Sequence, residues 1–125
     1  MKRFFLLSLV CVLGLFGSLR AQEITIGSGN ASSYKSPINT GECNSISQQI
    51  YTAAEIGQAE GKISKIALKW ASSVAETRNV AVYMQNTTQS SFGSWVPMSD
   101  GDKVYDGEVN INSEWVEITF TTKFD

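Results

Sequence analysis

The chain contains no histidine among its 125 residues. Histidine is the usual general base of serine and cysteine hydrolases and the commonest ligand of catalytic zinc. The sequence also lacks a Gly-x-Ser-x-Gly elbow and a phosphate-binding glycine loop. Catalysis by paired carboxylates is the alternative, with Glu108, Glu114 and Glu117 as candidates. Because the alternation of its strand turns Glu117 toward solvent, we predict a protein that is not an enzyme and needs no cofactor.

The chain begins with an apolar leader. Positive charge lies at Lys2 and Arg3, residues 4–19 are almost wholly apolar, and Ala21-Gln22 offers a cleavage point. The apolar run is shorter than the roughly 20 residues that a membrane-spanning helix needs, and no later segment is apolar enough to serve instead. We predict a signal peptide at residues 1–21 and one exported domain at residues 22–125. An uncleaved anchor is the alternative.

Cysteine and positive charge are scarce outside the leader. Cys11 lies within the leader, where lipid attachment is an alternative, so Cys43 is the only cysteine of the exported form and no internal disulfide is expected. We expect Cys43 to be a small, half-buried loop residue; a reactive thiol or an intermolecular link are the alternatives. Cleavage removes three basic residues and takes the formal net charge from −2 to −5. Such a chain lacks the positive surface that nucleic acid requires.

Beyond the leader, apolar residues alternate with polar ones, and helical spacing never lasts more than about two turns. This pattern predicts an all-β domain. Strands are expected near residues 23–27, 47–52, 62–70, 78–85, 94–98, 103–110 and 115–121. One helical turn is expected at residues 53–56, before Gly57. Asp100-Gly101 and Asp106-Gly107 predict turns or bulges, because glycine accepts the backbone angles of tight turns.

Parity along the strands assigns side chains to faces, since neighbours on a strand point in opposite directions. The residues assigned to the core are Ile66, Leu68, Trp70, Val80, Val82, Met84, Val116, Ile118 and Phe120. Strands with one wet face are typical of antiparallel sheets. Several of them in about 100 residues predict a two-sheet antiparallel β-sandwich.

Aromatic residues on the outward faces form a candidate binding site. Tyr83 and Trp115 point outward by parity, and Trp95 lies in a turn-flanked segment that ends at Pro97. Sugars pack their C–H faces on such rings, and proteins also bind exposed aromatic surface. We therefore predict Tyr83, Trp95 and Trp115 as ligand-binding residues for a glycan or a surface protein. The alternative is that these rings cover sheet edges or pack under loops.

Three aspartates offer oxygen ligands of the kind that calcium prefers, namely Asp100, Asp102 and Asp106. Asp-Gly pairs also suit a turn without any metal. We therefore predict no metal site and keep calcium as the alternative.

Several short segments follow one another in a characteristic order. They are Ile26-Gly27-Ser28-Gly29, Gln48-Gln49-Ile50-Tyr51, Glu55-Ile56-Gly57, Gly61-Lys62-Ile63, Thr77-Arg78-Asn79-Val80, Trp95-Val96-Pro97, Val104-Tyr105-Asp106-Gly107, and Trp115 with Ile118 and Phe124. Together they resemble the N-terminal β-sandwich module of large secreted, adhesin-like Bacteroidetes proteins associated with type IX secretion.

The resemblance implies a jelly-roll-like, non-catalytic sandwich that acts in adhesion or recognition at the cell surface. Similar modules continue past the equivalent of Phe124-Asp125, so the resemblance also implies a sandwich that is incomplete at its C-terminal end. An accessory domain of a secreted peptidase or glycosidase and a truncated remnant without independent function are the alternatives. The expected location is extracellular or at the cell surface, or periplasmic because no C-terminal sorting domain is present.

Overall fold

The computed structural model describes residues 21–28, 37–57, 61–71, 75–112 and 114–125. Within these ranges the chain forms one short α-helix, α1 (Ala53–Ile56), and four strands: β1 (Ile63–Lys69), β2 (Glu76–Tyr83), β3 (Lys103–Ile111) and β4 (Trp115–Phe124). A 3₁₀ turn, Asp100–Asp102, leads directly into β3. The predicted all-β class is confirmed.

The predicted signal peptide, residues 1–21, lies outside the described residues except for Ala21. Among the residues that are described, none of the helical segments is long and apolar enough to cross a bilayer.

The four strands of the described ranges pair antiparallel in two separate sheets, as predicted for their direction. One sheet joins β1 to β4, and the other joins β2 to β3. Since β3 and β4 are consecutive but belong to different sheets, the chain passes from one sheet to the other between them. This crossing brings the apolar faces of β3 and β4 into one core.

The core receives side chains from both sheets. The buried residues of the described part of the chain are Val104, Val109 and Ile111 from β3, and Val116, Ile118 and Phe120 from β4. Partly buried residues of β1 and β2, including Ile66, Val80 and Val82, pack against this cluster. The predicted inward face of β4 is therefore confirmed. Burial of these apolar side chains is the main driving force for folding.

A β-bulge at Val104 changes the parity of β3. Val82 pairs with Tyr105 but Tyr83 pairs with Lys103, so Val104 is an extra residue opposite β2. A bulged residue shifts the alternation of faces by one position. Val104 consequently enters the core, where it is only 4% exposed.

Thr121 of β4 stabilises this bulge, since its hydroxyl donates a hydrogen bond to the Val104 carbonyl with an oxygen–oxygen distance of 3.0 Å. Thr121→Val retains the shape of the side chain and removes the donor. We expect this change to lower the free energy of unfolding by about 1 kcal/mol. Thr122→Val, at the next and exposed position of β4, is the matched control. Urea unfolding measures both variants, and equal losses would contradict a specific role for the hydroxyl.

The predicted turn or bulge at Asp106-Gly107 is wrong, because both residues lie inside β3 and pair with β2. Gly107 instead leaves room for the ring of Tyr105, two positions earlier on the same face. A Cβ at Gly107 would lie 3.2 Å from the Tyr105 hydroxyl oxygen. The predicted turn at Asp100-Gly101 is confirmed by the 3₁₀ turn.

Three further predictions are wrong, since residues 23–27, 47–52 and 94–98 form no strand in the described part of the chain. Residues 48–52 do alternate between half-buried and exposed positions. Alternation selects an extended backbone, whereas a strand also needs a neighbouring main chain to pair its N–H and C=O groups.

The predicted helical turn is confirmed as α1, which begins with a capping box. The Thr52 hydroxyl accepts from the Glu55 N–H at 3.2 Å, and the Glu55 carboxylate accepts from the Thr52 N–H at 2.7 Å. Gly57 ends the helix in the left-handed region, at φ 73°.

Candidate functional site

The side-chain amide of Gln48 takes the place of a strand partner for Val96. Gln48 Nε2 donates to the Val96 carbonyl oxygen at 2.6 Å, and the Val96 N–H donates to Gln48 Oε1 at 2.9 Å. A primary amide presents a donor and an acceptor side by side, as a peptide group on a neighbouring strand does. This pair of bonds, the Gln48–Val96 clamp, joins residues 48 positions apart and holds two distant segments together.

An open depression of about 300 Å³ lies at the clamp. Its lining residues are Gln48, Phe92, Gly93, Ser94 and Trp95, and we call it the aromatic pocket. Trp95 is 58% exposed and Phe92 is 45% exposed. Large aromatic side chains that share an exposed concave surface are a common feature of binding sites.

Among the residues that the structure describes, those lining the aromatic pocket carry no ionisable side chain. It offers the aromatic faces of Phe92 and Trp95, the amide of Gln48 and the hydroxyl of Ser94. General acid–base catalysis needs a titratable group within hydrogen-bond reach of the substrate. The pocket is thus equipped to hold a ligand through stacking and neutral hydrogen bonds.

Arg78 of β2 anchors the segment that precedes Gln48. Its guanidinium Nη2 donates to the Thr40 carbonyl oxygen at 2.9 Å and forms an ion pair with Glu76 at 2.7 Å. The two charged side chains are partly buried, with 31% and 22% exposure. A charged donor that is held by a carboxylate makes a strong and directional bond. The β2–β3 sheet therefore carries the segment that presents Gln48.

The three aromatic residues predicted from parity lie on three different elements. Trp95 lines the aromatic pocket, whereas Trp115 is 46% exposed at the first position of β4. Tyr83 is half-buried at the end of β2, and the ammonium of Lys103 lies 5.7 Å from the centre of its ring. The cation is therefore within the range of a cation–π contact with that ring. Of the three, only Trp95 is among the pocket's lining residues.

Sequence reasoning misses four of the five lining residues, and the two with the largest side chains are Gln48 and Phe92. Gln48 belongs to an alternating segment that resembles a strand, and nothing in the sequence connects it with Val96. A signal for Phe92 does exist, because Phe92 and Trp95 are large aromatic residues separated only by Gly93-Ser94. Two large aromatic residues separated by only two small residues are expected to have exposed rings.

Two of the three aspartates considered for calcium have other partners. Asp102 Oδ2 accepts from the N–H and the hydroxyl of Ser99, at 2.7 and 2.8 Å. Asp106 forms an ion pair with Lys103 at 3.0 Å. Among the described residues no group of three or more acidic or cysteine side chains is arranged to hold a metal ion.

The two bonds from Ser99 lower the pKa of Asp102 below its usual value of 3.8, the bond from the backbone N–H contributing more than that from the hydroxyl. A carboxyl whose pKa is lower in the folded state stabilises the fold above its unfolded pKa, and this contribution is lost as the pH falls through the folded pKa. We expect Asp102→Asn to unfold at lower urea concentration than wild type near neutral pH.

In strong acid, below the folded pKa, the two proteins should unfold at the same urea concentration. Asp100→Asn, in the same turn, controls for removal of a negative charge and should lose less stability near neutral pH than Asp102→Asn. A constant difference between wild type and Asp102→Asn across the whole acid range would contradict the role of the ionised carboxylate.

The expectation that Cys43 is half-buried is wrong, because Cys43 is exposed with a free thiol. The turn around it is closed by local bonds: the Gly41 N–H donates to Asn39 Oδ1 at 3.0 Å, and the Asn39 N–H donates to Ser45 Oγ at 3.1 Å. A turn that is stabilised by its own local hydrogen bonds does not need a buried side chain at its tip.

Comparison of the chain with protein-family models, with curated proteins and with solved structures finds no match. The resemblance to adhesin-like modules therefore stays a prediction from the sequence.

Proposed function

We propose that this chain is an exported, non-enzymatic recognition module that binds a glycan or a surface protein at the bacterial cell surface, as the adhesin-like modules it resembles are expected to do. The apolar leader supports export. The lack of histidine supports a binding role over the common kinds of hydrolysis. The aromatic pocket supports recognition, because its lining is suited to binding.

In this proposal the two sheets are the layers of a jelly-roll-like sandwich. The support is the shared core: Ile111 of one sheet is fully buried, and Val116 and Ile118 of the other are each 2% exposed in the same cluster. Side chains from two facing sheets that fill one apolar layer are typical of a sandwich. The loops at the ends of such layers commonly carry binding residues.

The observation that carries the proposal is the position of Trp95. The residue is 58% exposed at an open pocket, and the loop that bears it is fixed through Val96 by the Gln48–Val96 clamp. A loop whose main chain is already fixed loses less conformational freedom when a ligand binds to it. The main chain that carries Trp95 is therefore organised before the ligand arrives.

Replacement of Trp95 tests this function. A glycan array and a panel of surface proteins, screened with the purified protein, identify the ligand class, and titration then measures the affinity of Trp95→Ala. We expect a loss of about tenfold or more, equal to about 1.4 kcal/mol. Trp115→Ala is the matched control, since it removes the same exposed residue type from another element. Equal losses in both variants, or no binding by the folded wild type, would contradict the proposal.

A further inference from the structure

A strand-like segment without a strand partner lies at residues 23–27, and we call it the N-terminal segment. Its residues alternate in polarity, so that Ile24 and Ile26 share one face. Residues 21–28 are all exposed and belong to no strand. Ile24 is 38% exposed and Ile26 is 40% exposed. The N-terminal segment therefore has the pattern of a strand but lacks the ladder of main-chain hydrogen bonds that stabilises one.

The edge of β1 is a suitable place for an added strand. Among the residues that the structure describes, β1 pairs along one side only, with β4. Ile66 and Leu68 of β1 are half-buried, whereas their β4 partners Ile118 and Val116 are buried. The core is thus less well covered at β1 than at β4. An extended segment that joins an open edge pairs its main chain there and places every second side chain over such a face.

The N-terminal segment and β1 are complementary in charge. A strand that lies beside β1 with its two isoleucines toward the core turns Glu23 to the outer face. The outer face of β1 carries Lys65 and Lys69. Each lysine forms an ion pair with one glutamate of β4 or the residue before it, and an ammonium group has three donors, so each can also bind a carboxylate on its other side.

The edge of β2 lacks this complementarity. The exposed positions of β2 are uncharged, namely Thr77, Asn79 and Ala81. Its one cation, Arg78, shares the parity of the inward-facing Val80 and already binds Glu76 and the Thr40 carbonyl oxygen. Charge therefore favours β1 over β2 as the partner of the N-terminal segment.

We propose that the N-terminal segment of one copy of this chain adds as a further strand to the edge of β1 in a second copy. The partner is a second copy, because within a single copy the segment pairs with no strand. Cleavage of the predicted signal peptide leaves the segment at the N-terminus, where it can reach another copy without threading a loop. Because donor and acceptor are different parts of the chain, repetition of the contact builds a ring or an open row of copies.

Substitution of the two isoleucines tests the association. The full chain is expressed, and the exported protein is studied by sedimentation over a range of concentrations. We expect the wild type to form species of two or more copies, and the double variant Ile24→Asp, Ile26→Asp to associate about tenfold or more weakly, because a charge is unfavourable against the core. Ile46→Asp is the matched control, since Ile46 is a 79% exposed isoleucine of another segment, and it should associate as the wild type does.

A wild type that stays monomeric up to about 1 mM would overturn the proposal. An equal loss of association in Ile46→Asp would also overturn it, because the effect would then come from surface charge in general.

A synthetic peptide of residues 22–28 tests the acceptor edge. The double variant keeps β1 intact, so we expect it to bind this peptide and to show hydrogen exchange about tenfold or more slower at amides of β1. The same peptide with both isoleucines replaced by aspartate should not bind. Absence of binding, or slower exchange at β2 in place of β1, would overturn the proposal. None of these measurements needs a ligand of the aromatic pocket, so the proposed recognition function stands or falls separately.

Discussion

Replacement of Ile118 by alanine is expected to lower the free energy of unfolding by about 2–5 kcal/mol. Ile118 is 2% exposed and pairs with Ile66 of β1 across the sheet. The smaller side chain removes buried apolar surface and leaves a cavity, because neighbours contributed by both sheets relax only partly. A loss of this size is a large part of the about 5–15 kcal/mol that stabilises a small domain.

Thr119 provides the matched control for Ile118, since it is the next residue of β4 and faces solvent. Thr119→Ala should change the free energy of unfolding by no more than about 0.5 kcal/mol. Urea unfolding followed by circular dichroism measures both variants. If Ile118→Ala were as stable as Thr119→Ala, the core shared by the two sheets would be contradicted.

Replacement of Gln48 by alanine is expected to release the loop of Trp95 and to abolish ligand binding. The change removes both bonds of the Gln48–Val96 clamp, each worth about 0.5–1.5 kcal/mol. Because Gln48 lies outside the buried cluster, we expect the change to lower mainly the free energy of local opening of the loop, and less that of global unfolding. We therefore expect faster hydrogen exchange at the Val96 amide, by about tenfold or more, with a much smaller change in the global unfolding midpoint than for Ile118→Ala.

Gln49→Ala is the control for this prediction. Gln49 is the same residue type at the next position and is exposed, and its side-chain oxygen accepts from the hydroxyl of Tyr51. Amide exchange measured by nuclear magnetic resonance, together with ligand titration, distinguishes the two variants. Unchanged exchange at Val96 in Gln48→Ala would show that the clamp does not hold the loop.

Four of the seven predicted strands are present. In these four the alternating segment also has a neighbouring strand with which its main chain pairs. For β4 the parity of Val116, Ile118 and Phe120 predicts the buried face correctly. The prediction is correct for β4 because consecutive side chains of a strand point to opposite faces, so that every second residue is buried. The two-residue displacement of β2, predicted at 78–85 and found at Glu76–Tyr83, reflects pairing with β3.

The bulge at Val104 shows where parity fails. In β3, strict alternation from Val109 and Ile111 would place Val104 on the outer face, yet Val104 is buried. An extra residue opposite β2 reverses the faces beyond it. Its position depends on the register of the partner strand, which a local pattern does not contain.

The candidate site was only partly predictable for a similar reason. Trp95 could be selected because it is a large aromatic residue in a turn-flanked segment, although the strand predicted at residues 94–98 is wrong. Gln48 could not be found, because its role depends on a main-chain group 48 positions away. Local sequence carries information on which residues are apolar or extended, but hydrogen bonds between distant segments arise only once the chain has folded.

The amino-acid sequence by itself determined the β-rich class, the inward face of β4, the short helix before Gly57 and the surface character of Trp95. These follow from period-two alternation, capping residues and side-chain polarity, which act over a few neighbouring positions. Only the tertiary structure decided how the strands pair into two sheets, where β3 bulges, and that Gln48 substitutes for a strand beside Val96. The physical reason is that every buried or partly buried main-chain group needs a partner, and which partner is within reach depends on the whole fold.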